Sequence, residues 1–192
     1  FVTLFFSKLI GLLLIIVTVW VYYFFRDPER FSIDDDSYLV SPADGLITDV
    51  SERSGPEELR LENTSFTRVS IFMNVFNCHV NRVPTSCKIE EIYYKPGKFL
   101  NASLDKASEE NERNFFKITS KKDNEEIIIV QIAGLIARRI VCDVEQGQDL
   151  KQGDRIGMIR FGSRVDMYFK NKKVLAKLGQ NVVAGESLIA SE

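Results

Sequence analysis

An uncharged apolar run, LIGLLLIIVTVWVYYFF at residues 9–25, constrains what this chain can fold into more than any other feature. Its length of about 17 residues is close to the minimum for a helix that crosses the hydrocarbon core of a bilayer, and the apolar residues before it can extend the span. Trp20, Tyr22 and Tyr23 stand near one end, where membrane helices carry interfacial aromatic residues. The sequence therefore predicts one transmembrane helix within residues 1–25, which anchors the rest of the chain on the cytoplasmic side of the cell membrane.

Two other interpretations of this run fit less well. A secretory signal peptide is disfavoured because the run is long, no small-residue cleavage site follows it, and the charged segment RDPER comes directly after it. A helix packed against the core of a domain of this size would present a polar face to solvent, and the run has none. Since the chain begins at Phe1 and not at methionine, we expect its N-terminus to have been truncated or renumbered.

Beyond the anchor, the sequence predicts a juxtamembrane linker at 26–39 and a β-rich domain at 40–192. Pro28 and the acidic cluster at 34–36 mark the linker. The most apolar stretch of the domain, EEIIIVQIAGLIARRIVCDV, predicts a central pair of strands with a bend at Gly134. A chain of 192 residues is long enough for one such domain plus the anchor.

A short pattern occurs twice in the C-terminal part. GQDLKQGDRI at 147–156 and GQNVVAGESL at 179–188 each place two glycines around a short alternating strand. The pattern resembles the half-motif of biotinyl- and lipoyl-carrier domains, although neither copy has the lysine-bearing hairpin tip that carriers need. We therefore expect a mainly β fold, a flattened barrel or sandwich with two carrier-like half-motifs, plus the N-terminal transmembrane helix.

Composition excludes several classes of protein. Cys78, Cys87 and Cys142 form no CxxC pair, which is typical of reduced thiols that face a cytoplasm. The net charge of −2 gives no indication of a nucleic-acid partner. The only histidine, His79, argues against a catalytic zinc site, and no metal is expected.

The pair Gly162-Ser163 interrupts a predicted strand in RFGSRVDMY, and its chemistry suggests a function. A serine hydroxyl can attack the carbonyl carbon of the preceding residue, and glycine leaves that carbonyl unhindered and its backbone able to bend. The resulting ester can eliminate, which leaves a new C-terminus at Gly162 and a dehydroalanine that hydrolyses to a pyruvoyl group. The ketone would supply an electron sink of the kind that pyridoxal phosphate provides. A structural bulge is the alternative interpretation of the pair.

Four motifs occur in the order found in phosphatidylserine decarboxylase proenzymes of the short form, which this chain resembles over essentially its whole length. They are YFFRDPER at 23–30, VSPADG at 40–45, FMNVFNCHVNRVP at 72–84 and RFGSRVD at 160–166. The resemblance implies a membrane enzyme that converts phosphatidylserine to phosphatidylethanolamine with a covalent pyruvoyl group. It also implies self-cleavage into a large chain, 1–162, and a small chain, 163–192, which stay partners; a larger oligomer is compatible with it.

The resemblance implies a role for each matched residue. Ser163 would become the pyruvoyl group, and Gly162 would supply the attacked carbonyl. Asp44 and His79 would form the self-processing group, by the logic of a hydrolase triad used on the protein's own backbone. Longer members carry a second histidine where this chain has Arg82, which leaves open whether His79, Asp44 or a water is the base.

Four arginines are candidates for substrate contact. Arg26 and Arg30 lie beside the predicted span, where positive-inside anchoring explains them as well as lipid binding does. Arg138 and Arg139, in GLIARRIV, could hold the substrate phosphate or carboxylate, and alternation along a strand edge is the other explanation.

Two other functions remain alternatives. A non-enzymatic membrane-tethered adaptor could use the same carrier-like domain, although no heptad hairpin of the kind such adaptors carry is visible. A metallopeptidase on a similar barrel is weaker, because the chain has one histidine. Since the chemistry is predicted within the β domain, we also expect self-cleavage to survive deletion of residues 1–25.

Overall fold

The computed structural model describes residues 2–98, 110–134, 139–160 and 163–192. Within these ranges the chain forms one α-helix, one short 3₁₀ turn at Glu57–Leu59, and fourteen β-strands. The elements are α1 Val2–Phe24, β1 Tyr38–Val40, β2 Gly45–Ser54, β3 Ser65–Met73, β4 Val80–Arg82, β5 Cys87–Lys95, β6 Arg113–Ser120, β7 Glu126–Ala133, β8 Ile140–Cys142, β9 Asp149–Leu150, β10 Arg155–Ile159, β11 Ser163–Phe169, β12 Lys173–Val174, β13 Asn181–Val182 and β14 Leu188–Ser191. The fold is therefore mainly β with one N-terminal helix, as the sequence predicted.

Helix α1 is long and apolar enough to cross a membrane. Its segment Ser7–Phe24 has 18 residues, a mean hydropathy of 1.9, and only 6% of its residues buried against the rest of the protein. Its one hydroxyl in the middle of the apolar run, Thr18 Oγ1, donates to the carbonyl of Leu14 at 2.8 Å, so it needs no partner from outside the helix. The last residue differs from the others, because Phe24 is fully buried against the β domain.

An eight-stranded antiparallel sheet organises the domain, in the order β13-β2-β3-β11-β7-β6-β5-β9. Strand β11 lies in the middle, paired with β3 on one side and β7 on the other, and all seven of its residues are buried. Two three-stranded sheets, β1-β14-β12 and β4-β10-β8, complete the fold. Within the described ranges the large sheet is open, with β13 and β9 at its ends, so the barrel form of the prediction is not seen there.

The main hydrophobic core lies between one face of the large sheet and the two small sheets. It joins Val165 and Met167 of β11 to Ile156 of β10 and Ile189 of β14. A smaller core covers the other face around Phe115. Because each fully buried aliphatic side chain contributes roughly 1.5–3 kcal/mol, these two cores hold β11 in place from both sides.

The prediction that the two strands on either side of Gly134 pair with each other is wrong. Strand β7 pairs with β6 and β11, whereas β8 lies in another sheet and pairs with β10. The connection at 135–138 lies outside the described residues. Local hydrophobicity marks both strands, but it carries no information about which partner each strand takes.

The two copies of the repeated pattern have the same backbone conformation at their glycines. Gly147 and Gly179 have φ of +86° and +80°, and Gly153 and Gly185 have φ of +83° and +77°. Only glycine adopts this left-handed region without strain, so the glycines are required by the turns before and after β9 and β13. The sequence repeat is thus a structural repeat.

Candidate active site

Ser163 is the first residue of the central strand β11. It lies between Met73 at the end of β3 and Ala133 at the end of β7, and its side chain is fully buried. Its hydroxyl oxygen has no hydrogen-bond partner among the described residues. Buried hydroxyls without partners are rare in native proteins, because each one loses its hydrogen bonds to water without replacement, and such groups often mark reactive positions.

The pleat of β11 separates Ser163 from its charged neighbours. Side chains alternate along a strand, so Ser163 shares a face with Val165 and Met167 of the main core, and Arg164 and Asp166 lie on the other face. There Arg164 Nε lies 2.9 Å from Asp166 Oδ1, in a buried ion pair. Arg164 and Asp166 therefore pair with each other on one face of the sheet, while Ser163 lies on the face of the main core. Gly162 lies outside the described residues.

His79 approaches the same end of β11 through two connections. The loop that carries it begins at Met73, the β3 partner of Ser163, and leads into β4. Strand β4 pairs with β10, the strand immediately before the Gly-Ser pair, and the Ile159 N–H donates to the His79 carbonyl at 3.3 Å. The topology therefore brings the histidine loop near Ile159 at the end of β10 and near Ser163 at the start of β11.

The His79 ring is held in a dry environment. It is fully buried, and its centroid lies 4.4 Å from that of Phe24 at the end of α1. Its Nδ1 lies 3.0 Å from the carbonyl oxygen of Asn77, so the neutral ring must carry its proton on Nδ1, which leaves the Nε2 lone pair as the basic site. Burial lowers the pKa of His79 to about 4, and the charge of Arg26 acts in the same direction. The imidazole is consequently neutral at physiological pH.

Asp44 lies in the turn between β1 and β2. Its Oδ1 accepts from the Ala184 N–H at 2.8 Å, and its Oδ2 accepts from Arg30 Nη2 at 2.8 Å. Burial chiefly, together with the Asp44 charge, raises the pKa of the Cys78 thiol, so the carboxylate acts electrostatically on the residue before His79. Asp44 therefore has the turn position that its Pro-Ala-Asp-Gly context indicates, and it also lies near the histidine loop.

Arg82, at the position of the second histidine of longer relatives, is a structural clamp. Its Nη2 donates to Asp27 Oδ1 at 3.0 Å and to the Pro28 carbonyl at 3.1 Å, and its Nη1 donates to the Gly153 carbonyl at 2.9 Å. These bonds fasten the segment after α1 onto the β domain. Because its guanidinium donates to these three acceptors, Arg82 is not placed to act as a base in self-cleavage.

The other predicted arginines have different environments. Arg26 donates to the carbonyls of Tyr23 and Phe76 at 3.0 and 2.8 Å, and Arg30 pairs with Asp44, so both have protein partners. Arg139 is exposed at the start of β8, and Arg138 lies outside the described residues.

Sequence reasoning missed two parts of the site. It treated Phe24 as part of the membrane span, whereas its ring covers His79, and it left Arg30 undecided, whereas Arg30 is the ion-pair partner of Asp44. Both residues belong to YFFRDPER, so the motif itself was the available signal. Among the described residues, no group of three or more His, Cys, Asp or Glu side chains is arranged to hold a metal ion.

The β-rich domain has a fully buried serine at the start of its central strand, whose hydroxyl has no partner among the described residues. It also has a buried histidine that packs on the end of an apolar helix, and these features define a class of membrane-associated enzyme candidates. Comparison with known proteins identifies the class further. A model of the phosphatidylserine decarboxylase family matches residues 17–190. The chain belongs to this family, and it is therefore an enzyme and not an adaptor.

Individual relatives agree with the family match. A phosphatidylserine decarboxylase proenzyme of Pelagibacter ubique is 63% identical over 186 residues, which cover 97% of this chain and 86% of the relative. Proenzymes of the same name from Rickettsia akari and Ruegeria pomeroyi are 50% and 51% identical, over 96% and 91% of this chain and 80% of each relative.

Proposed function

We propose that this chain decarboxylates phosphatidylserine to phosphatidylethanolamine, after it cleaves itself between Gly162 and Ser163 and converts Ser163 to a pyruvoyl group. The observation that carries the proposal is the buried Ser163 hydroxyl, which has no hydrogen-bond partner among the described residues and lies at the start of the central strand, directly after a glycine in the sequence. A hydroxyl in that state is not stabilised as a hydrogen-bonded structural group, and Ser163, unlike Ser70, follows a glycine whose carbonyl it can attack.

Self-cleavage follows from chemistry that this chain's own residues can perform. Ser163 Oγ attacks the Gly162 carbonyl carbon, the Oγ proton is removed, and the amide bond is exchanged for an ester. Removal of the Cα proton of Ser163 then expels the Gly162 carboxylate and leaves dehydroalanine. Water hydrolyses the dehydroalanine, releasing ammonia and leaving the pyruvoyl group at the new N-terminus.

His79 is the proposed base for the first step. Its neutral state and the tautomer set by the Asn77 carbonyl leave Nε2 able to accept the Oγ proton. We assign Asp44 a positioning role, because its carboxylate holds Ala184 and Arg30 and so fixes the turn and the segment that follows α1. The proposal does not need a second histidine at the position of Arg82.

The pyruvoyl ketone would bind the substrate amine covalently and accept the electron pair that is left when carbon dioxide departs. The residues around Ser163 fit such a group, because its position is fully buried between Met73 and Ala133 and excludes bulk water. We propose the exposed Arg139 as a contact for the substrate phosphate or carboxylate, together with Arg138, which lies outside the described residues. We further propose that the domain faces the cytoplasm with α1 in the membrane.

The two chains are expected to stay together after cleavage. The small chain, 163–192, contributes β11 to the middle of the large sheet, where it is paired on both sides by strands of the large chain, 1–162. Cleavage and pyruvoyl formation change only the first residue of β11, and the pairing of Arg164 to Phe169 with β3 and of Arg164 to Tyr168 with β7 is left in place. The proposed mature enzyme is therefore a tightly associated pair of chains.

We also propose that the domain is built on two carrier-like half-motifs related by an approximate twofold. The Gly147 N–H donates to Ile89 of β5 at 2.7 Å, and the Gly179 N–H donates to Ile47 of β2 at 2.9 Å, so each repeat is attached to its long strand in the same way. The carrier resemblance concerns this architecture alone and implies no attached biotin or lipoyl group.

Intact mass under denaturing conditions tests the function. The purified protein should separate into a large chain and a small chain of roughly 3 kDa, whose N-terminus is blocked to sequencing and reacts with a carbonyl reagent. Ser163→Ala should remain one chain and release no carbon dioxide from phosphatidylserine. Ser70→Ala is the matched control, because Ser70 also has a buried hydroxyl without a partner but lies opposite Asp166 in β3. A fully active, uncleaved protein would refute the proposal.

A further inference from the structure

An exposed aromatic side chain lies in the loop that carries His79. Phe76 is 63% exposed. The backbone around it is a locked turn, because the Asn74 N–H donates to Asn77 Oδ1 at 2.9 Å and the Phe76 N–H donates to Asn74 Oδ1 at 2.8 Å. We name residues 74–77 the Phe76 turn. Its hydrogen bonds fix the backbone in a conformation that leaves the Phe76 side chain exposed.

The Phe76 turn is attached directly to the end of α1. Arg26 Nη2 donates to the Phe76 carbonyl at 2.8 Å, while the same guanidinium lies 3.9 Å from the centroid of the Tyr23 ring. Cys78 Sγ adds a contact to the Arg26 carbonyl at 3.4 Å. The turn thus lies at the level where the apolar helix ends.

A groove opens on the same end of α1. It has a volume of about 710 Å³, its surface is more apolar than polar, and it is lined by the cationic Arg26 and by Asp27, whose carboxylate is paired with Arg82. Its lining residues are Thr18, Val21, Tyr22, Phe25, Arg26, Asp27 and Pro28. This volume is within the range of small-molecule sites, and an apolar wall ending in a cation matches the chemistry of a phospholipid acyl chain with its phosphate.

We propose that the Phe76 turn is a second membrane-contact element, which inserts Phe76 into the bilayer interface beside α1 and lets a phospholipid enter the groove below Arg26. The inference rests on the proposed membrane location of α1. Continuity supports a bilayer as the occupant, because the exposed Phe76 and the exposed apolar surface of α1 are joined through Arg26 and Tyr23.

The consequence concerns how the substrate reaches the buried site. His79 lies three residues after Phe76, and Phe24 at the end of α1 packs on its ring. If Phe76 lies in the interface, the histidine loop is held at the depth of the lipid headgroups. A serine headgroup can then approach the Ser163 region while its acyl chains stay in the bilayer.

Fluorescence with brominated lipids tests the insertion directly. Trp20→Phe removes the only tryptophan, Ser163→Ala keeps the chain whole, and Phe76→Trp then places one reporter in the turn. In vesicles of phosphatidylcholine and phosphatidylglycerol we expect blue-shifted emission and at least twofold quenching by lipids brominated near the headgroup. Leu178→Trp in the same background is the control, because Leu178 is also exposed, at 71%, in the turn before β13. It should remain unquenched.

Emission from Phe76→Trp that matches the Leu178→Trp control in wavelength and quenching would overturn the proposal. This readout needs no enzyme activity, so it is independent of whether the proposed decarboxylation is correct. A second variant, Phe76→Ser in the otherwise unchanged chain, should raise the apparent KM for vesicle phosphatidylserine several-fold and leave the rate of self-cleavage unchanged. An unchanged KM for vesicle lipid would also count against insertion.

Discussion

The rings of Phe24 and His79 lie with their centroids 4.4 Å apart and their planes tilted by 37°. Phe24 is the last residue of the apolar helix, and His79 is the only histidine of the chain. The proposed membrane anchor and the proposed catalytic base are therefore in direct contact. This contact changes the expectation that the anchor can be removed without effect on the chemistry.

The first prediction separates anchoring from chemistry by the position of a truncation. Deleting residues 1–19 keeps Phe24 and its contact, so self-cleavage should continue near the rate of the full chain. Deleting residues 1–25 removes the ring that covers His79, and we expect self-cleavage to slow by about 10-fold or more, since a positioned base contributes ~10²–10⁴ in rate. Time courses on denaturing gels measure both rates, and equal rates would contradict the structural role of Phe24.

The second prediction concerns the pKa of His79. Because the chain has one histidine, its imidazole signal in a proton NMR titration needs no assignment. In Ser163→Ala we expect a midpoint of about 4, since burial disfavours the charged ring. Phe24→Ala should admit water and move the midpoint upward, toward the ordinary value for histidine, whereas Phe24→Leu should move it less. A midpoint near 6.5 in the parent protein would show that His79 is solvated.

The third prediction is the pH dependence of stability that follows from this pKa. Between pH 6.5, the ordinary pKa of histidine, and pH 4, the unfolded chain binds a proton that the folded chain does not. The contribution of His79 to the free energy of unfolding is therefore complete above pH 6.5 and decreases as the pH falls, by roughly 3 kcal/mol at pH 4. Denaturant titrations of Ser163→Ala with and without His79→Gln should show this slope only when the histidine is present.

The fourth prediction concerns Asp44 and its partner Arg30. Asp44→Ala removes the acceptor for the Ala184 N–H and the ion pair with Arg30, and it should slow self-cleavage strongly. Asp44→Asn retains an acceptor and should slow it less. Arg30→Gln should have an intermediate effect, because only the ion pair is lost. Arg53→Gln changes an exposed arginine and is the control. If all four variants cleave themselves at comparable rates, Asp44 has only the structural role of a turn residue.

The fifth prediction concerns Arg82. Restoring the histidine of longer relatives by Arg82→His would accelerate self-cleavage if that position faced Ser163. The structure predicts no acceleration, because Arg82 is occupied with Asp27, Pro28 and Gly153. Loss of these bonds should lower the free energy of unfolding by roughly 1–3 kcal/mol, measured by denaturant titration. Faster self-cleavage in Arg82→His would show that the side chain reaches the reaction.

The local signals of the sequence determined the class of fold, the apolar helix, the paired glycine turns and the candidate residues. Apolar length marks a span, strand alternation marks β structure, and Gly147 and Gly179 appear in the same pattern because both turns need a left-handed residue. These properties depend on neighbours along the chain, so they can be read without a structure.

Only the tertiary structure decided which residues meet. The pairing of β11 with β3 and β7, the separation of β7 from β8, the packing of Phe24 on His79 and the clamp at Arg82 all join positions far apart in the chain. A strand pattern shows that a strand forms but not its partner, and a motif residue such as Arg30 shows a charge but not the carboxylate that it binds. These choices depend on how the whole core packs, and for that reason the sequence predicted Ser163 and His79 as candidates but not the helix end that closes over the histidine.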